Sequence, residues 1–168
     1  MDNRELLTDL FGRLPELVQD AVEGLTPDQL CQSPAPGANP IGWLVWHLTR
    51  VQDDHVSELL GEEQVWVGDG WAKRFGLEPD AANTGYAHTP EQVATVRPES
   101  WEALVEYYAA VSARTLALIK GLTDDAWERV VDKRWNPPVT LGVRLISVAS
   151  DDLQHAGQAA YVRGLLGI

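Results

Sequence analysis

The sequence predicts an all-α fold: one antiparallel four-helix bundle with a long crossover between helices two and three. Three observations carry this. Four segments repeat apolar residues at three- and four-residue steps, the pattern of a single buried helix face. Capping residues, glycines or prolines bound each segment. The 168 residues, 45% hydrophobic and 23% charged, suffice for one ordinary domain with its own core, spanning 1–168.

The first helix starts near Asn3. Leu6, Leu7, Leu10, Phe11, Leu14, Leu17, Val18 and Ala21 fall on one face, and Gly24 with Thr26-Pro27-Asp28 ends it. A loop follows by composition, Ser33 to Pro40. Asn39 is the expected cap of helix two, with Pro40 in its first turn. Helix two should reach Leu60. Ile41, Leu44, Leu48 and Leu59 form its plain core stripe, and Trp43, His47, Arg50 and Asp54 form a polar-aromatic one.

Glycines and prolines punctuate residues 61–98. A structureless loop of that length is uncommon inside a compact domain, so short helical turns are expected at Trp71–Phe75 and Pro90–Val96. A crossover this long also lets helix three run parallel to helix two. Helix three spans about Pro98–Lys120, with Trp101, Leu104, Val105, Tyr108, Val111, Thr115 and Leu118 inside. Thr123–Trp127 reads as a capped turn and Lys133–Pro138 as a loop. Thr140 caps the last helix, which Gly167 stops after Leu166. Gly24-Leu-Thr-Pro-Asp-Gln-Leu30 and Gly121-Leu-Thr-Asp-Asp-Ala-Trp127 echo each other, as two related helix pairs would.

Charge excludes some partners. The net charge is −12, with only 13 basic residues and no basic run. A nucleic-acid binder must neutralise phosphates with Lys and Arg, so nucleic acid is not the expected partner, and an anionic membrane would repel the chain. No apolar run is long enough to span a bilayer, and the N-terminus lacks a basic-then-apolar leader, which leaves a cytoplasmic location as the expectation. Cys31 is the only cysteine, so no intrachain disulfide can form.

Four histidines are available: His47, His55, His88 and His155. Asp151 precedes His155 by four residues, which stacks both on one helix face. Asp152 is an alternative to Asp151. If helices two and four are neighbours, His47 completes a three-ligand set, as in bundle-core metal sites. Spacing alone equally suits a solvated Asp–His pair and a hydrogen-bonded core histidine. His55 and His88 are expected at the periphery. Gln158 is a candidate for a contact behind the ligands, and Asp54 for such a contact or for an extra ligand. Arg50 and Arg144 lie within a turn or two of the ligands and are candidates to hold a cofactor or substrate carboxylate. Trp43, Trp46, Trp66 and Trp71 are candidate pocket walls.

Two stretches, Ile41-Gly-Trp-Leu-Val-Trp-His-Leu-Thr-Arg50 and His155-Ala-Gly-Gln-Ala-Ala-Tyr-Val-Arg-Gly-Leu-Leu-Gly167, resemble the signature helices of the DinB-like superfamily. That group includes the metal-binding domain of mycothiol-dependent maleylpyruvate isomerase. The resemblance implies a DinB-like four-helix bundle binding a divalent ion, zinc or nickel first and iron next, through His47, Asp151 and His155. Many members carry His where Asp151 stands, so this harder ligand bears on which ion is held. The resemblance further implies a metal-dependent thiol S-transferase or isomerase using mycothiol or a related thiol on a small-molecule substrate. The alternatives are a non-catalytic metal or small-molecule binding stress protein and a metal-dependent hydrolase. A homodimer is a further expectation.

Overall fold

The computed structural model describes all residues, Met1–Ile168. Four long helices carry the core: α1 (Asn3–Val22), α3 (Ile41–Leu60), α6 (Trp101–Gly121) and α7 (Leu141–Leu166). Between them lie short helices α2 (Pro27–Leu30), α4 (Val65–Gly68) and α5 (Pro90–Val93), with 3-10 turns at Trp71–Phe75 and Ala126–Glu128. A small antiparallel hairpin, β1 (Val130–Asp132) and β2 (Val139–Thr140), precedes α7.

The ends form where the side chains can satisfy free backbone groups. Asp2 and Glu5 close a capping box on α1. Thr140 accepts from the Val143 N–H and starts α7, and Gly167, at φ +70°, ends it. The start of α3 differs from the expectation: Pro40, not Asn39, is its N-cap, and no side chain caps it. Pro40 takes an extended conformation and its carbonyl accepts from the Leu44 N–H, so the helix begins one residue later.

Of the consecutive long helices, only α3 and α6 pack side by side. Both α1 and α3 pack against α6 and α7, while α1 and α3 face each other across the diagonal. Arg50 reaches Tyr107 and Ser57 meets Arg114, so α3 and α6 run parallel, as the crossover allows. His55 meets Arg144 near the end of α3 and the start of α7, which sets those two antiparallel. Arg163 donates to the Asp20 carbonyl, so α1 and α7 run parallel, and the bundle is antiparallel only across α1–α6 and α3–α7.

The core is one cluster running from Leu7 to Val162. Helix α3 is its axis: every residue from Ile41 to Arg50 is buried. Its polar-aromatic stripe is therefore covered from Trp43 to Arg50, where the crossover wraps over it, while Asp54 stays partly exposed. Leu59 is only partly buried. No helix is long and apolar enough to cross a membrane.

Candidate metal centre

Helices α3 and α7 form the seam where the candidate ligands meet. His47 lies in the second turn of α3, and Asp151 and His155 lie one turn apart on α7. Antiparallel packing brings the three together: one potential ligand atom from each lies within 4.8 Å of the others. The His47 and His155 rings stand at 74° with centroids 4.9 Å apart. His155 Nε2 is 3.6 Å from Asp151 Oδ1. Asp151 Oδ2 is buried and has no hydrogen-bond partner.

Both imidazoles are held from behind. His47 Nδ1 donates to the Thr84 carbonyl at 2.5 Å, and His155 Nδ1 pairs with Gln158 Oε1 at 2.8 Å. With Nδ1 occupied in each ring, Nε2 is the nitrogen left for a shared centre. Trp43 stacks on His47 at 4.7 Å and 14°. Burial pushes the His47 pKa down, which favours the neutral imidazole a metal needs. Asp152 is not part of the cluster. It is fully buried near Tyr108, and burial, reinforced by Asp151, raises its pKa well above the usual carboxylate range.

A cavity of about 960 Å³ opens beside the ligands, with His47 and Asp151 on its wall. Asp54, His55, Asp132 and Arg144 add polar groups to it. The hairpin supplies Asp132, which receives Arg134 Nε at 2.9 Å, Arg134 Nη2 at 2.8 Å and Arg144 Nη2 at 3.0 Å. The Arg134 hydrogen bonds, aided by Arg144, hold the Asp132 carboxyl well below the usual range. Arg144 Nη1 faces His55 Nε2 at 3.5 Å, and Arg144 Nε is buried without a partner. Burial first, and Arg144 second, push the His55 pKa down. Four exposed apolar side chains line the same cavity: Tyr86, Trp135, Val143 and Ile146.

Some sequence candidates fall elsewhere. Arg50 is fully buried and does not line the cavity. It donates to Asn83 and Ala81 carbonyls, Gln64, Tyr107 and Asp53, which engages all five of its N–H groups and leaves none for a ligand. Trp43, Trp46, Trp66 and Trp71 line no part of this cavity: Trp43 backs His47, and Trp46 and Trp66 pack edge to face in the core. His55, expected at the periphery, lines the cavity. His88 stacks on Trp46 and accepts from the Trp43 indole N–H. The short hairpin, the Thr84 carbonyl and Gly85 carry no periodic signal. Only the φ-permissive glycine among polar residues hints that the crossover folds back sharply there.

A family model described as Mycothiol-S-transferase matches residues 6–167. The chain belongs to the mycothiol-S-transferase family. Mycothiol-S-transferases are a DinB-like family, so the resemblance read from the second and last long helices holds. The fold is also that of a conserved protein from Enterococcus faecalis known from a crystal structure. It is 31% identical, with a TM-score of 0.91, and the match covers 100% of this chain and 99% of that one. A comparison with curated proteins finds no match.

For this mycothiol-S-transferase family chain, the residues present fit a divalent ion. Two imidazoles with Nδ1 tied to oxygen acceptors, plus one carboxylate with an orphaned buried oxygen, are a donor set suited to zinc, nickel or ferrous iron.

Proposed function

We propose that residues 1–168 act as one divalent-metal-dependent transferase that joins a low-molecular-weight thiol of the mycothiol type to an electrophile. The convergence of His47, Asp151 and His155 beside an open cavity, in a chain of this family, carries the reading. His47, Asp151 and His155 would hold the divalent ion, which when bound would supply Lewis acidity that lowers the pKa of a thiol.

The chain's residues orient and enclose. Thr84 and Gln158 hold the two imidazoles, and Trp43 keeps water from one face of His47. The exposed side chains of Tyr86, Trp135, Val143 and Ile146 offer an apolar body a place beside the polar floor. Arg144, which lines the cavity, is the donor for an anionic group on thiol or electrophile. The sulfur forms the new bond to the electrophilic carbon. The leaving group departs with the electron pair of the broken bond, and the thiol proton leaves to solvent through the open cavity.

Elemental analysis after zinc or nickel reconstitution, followed by mycothiol with iodoacetamide, tests this. About one ion per chain and faster thioether formation are expected, both abolished in His47→Ala and His155→Ala. Loaded protein that does not accelerate the reaction, or equal rates in metal-free protein, refutes the transferase. Tight metal binding without thiol transfer would instead favour a binding protein.

A further inference from the structure

The crossover does more than join α3 to α6. Its segment Ala81–Gly85 lies across α3 and is fastened there by Arg50, which follows His47 by three residues on the same helix. Arg50 Nε donates to the Asn83 carbonyl at 3.1 Å, and Nη2 donates to the Ala81 carbonyl at 3.0 Å and Gln64 Oε1 at 2.8 Å. Gln64 Nε2 also donates to the Ala81 carbonyl, at 3.3 Å. On the other side, His88 Nε2 pairs with Asn83 Oδ1 at 2.8 Å. Between these fastenings sits Thr84, whose carbonyl takes the His47 Nδ1–H.

Gly85 makes the close approach possible. Its φ is +90°, and a Cβ there would stand 2.7 Å from His47 Nδ1 and 2.9 Å from the Trp46 ring. Only a residue without a side chain lets the backbone lie against the imidazole in that conformation.

We propose that Ala81–Gly85 is a positioning strap for His47, and that Arg50, acting through it, sets divalent-ion affinity without touching the ion or its ligands. This rests on the triad being a metal site but not on thiol transfer. A carbonyl can only accept, so it fixes the proton on Nδ1 and leaves the Nε2 lone pair for coordination. Released from the strap, the neutral ring samples both tautomers and more orientations. A lysine in place of Arg50 has no planar fork to serve Ala81, Asn83 and Gln64 together.

Two measurements test the strap without reference to catalysis. One is zinc affinity by competition with a chromophoric chelator. The other is the ¹H–¹⁵N long-range spectrum of metal-stripped protein, which reads the His47 tautomer. The wild type should show the Nδ1–H tautomer. Gly85→Ala and Arg50→Lys should each weaken zinc binding by about 10- to 100-fold, the range for lost outer contacts to a ligating histidine. Gly70→Ala is the control for backbone strain: φ is +73° there, but a Cβ meets nothing within 4 Å, so affinity should not change. The strap is overturned if the metal-stripped wild type carries its proton on Nε2, if Gly85→Ala binds zinc as the wild type does, or if Gly70→Ala loses as much. The tautomer is read on the wild type, so a variant that misfolds does not rescue the idea. Wild-type protein that binds no zinc overturns the metal site and the strap together, whereas zinc binding without thiol transfer sinks only the transferase.

Discussion

Asp53 anchors the network behind the candidate metal centre, and Asp53→Asn should unfold the protein far more easily. The carboxylate is fully buried. Oδ1 accepts the Val65 N–H at 3.0 Å and the Ser57 hydroxyl at 3.2 Å. Oδ2 accepts the Trp66 N–H at 2.8 Å, the Tyr107 hydroxyl at 2.8 Å and Arg50 Nη1 at 3.5 Å. It thereby caps the first turn of α4, for which Gln64 supplies no cap. In the asparagine variant the amide NH₂ faces a backbone N–H donor whichever way it turns. One buried N–H left unpaired costs about 1–3 kcal/mol. Arg50 also loses its only carboxylate, and breaking a buried ion pair from one side costs about 3–5 kcal/mol, a figure that already includes part of the first. A loss of about 4 kcal/mol lowers Tm by about 8–16 °C in a domain of this size. Urea unfolding followed by far-UV circular dichroism in the presence of a chelator measures it. A loss below about 1 kcal/mol would mean that α4 and Arg50 find other partners, and that the network does not hold the crossover.

Three further outcomes follow from the site. Zinc at about 100 times its Kd should stabilise the wild type by about 2.7 kcal/mol, raising Tm by about 5–11 °C. His155→Ala should show no such shift by scanning calorimetry, and an undiminished shift would remove His155 from the ligand set. Burial lowers the His88 pKa, so the unfolded chain takes up this proton at higher pH than the folded one. Its contribution is therefore fully present above the unfolded value of about 6.5 and is lost as pH falls through it. Protonation would also break the bond that Nδ1 accepts from Trp43. Metal-free His88→Gln should lose less stability than the wild type between pH 7.5 and 5.5, and parallel losses would contradict this. Trp135→Ala should raise KM more for an aromatic electrophile than for iodoacetamide, and equal effects on both would place the electrophile away from the exposed rim.

The bundle was legible because long helices write their packing into periodicity. The apolar steps in Asn3–Val22 and Trp101–Gly121 recur often enough to mark face and length, and Thr140 and Gly167 mark the ends of α7 by local chemistry. The crossover was legible in part: the turns expected at Trp71–Phe75 and Pro90–Val96 are present as a 3-10 turn and as α5, but α4 begins at Val65 with its cap supplied from Asp53 on another helix. The strands of the hairpin, three and two residues long, are too short to show a period. The convergence of His47, Asp151 and His155 was legible as spacing on α7 plus one histidine on α3, since the helical repeat fixes which side chains share a face. The role of Arg50 was misread for the same reason. Its spacing from His47 places it on the adjoining face, but its partners are carbonyls some thirty residues away, and backbone acceptors leave no mark on side-chain pattern.

That division separates two tasks. The helices deliver the donors: α3 brings His47 and α7 brings Asp151 and His155, and rigid packing along their seam fixes how far apart they stand. Helix packing does not decide which imidazole nitrogen faces the centre. For His155 that choice is local, made by Gln158 one turn on. For His47 it is non-local, made by Thr84 at the end of a segment fastened by Arg50. The two histidines therefore respond differently to damage. A change in the crossover should reorient His47 and leave His155 in place, so the candidate centre is intrinsically stiff on its α7 side and adjustable on its α3 side.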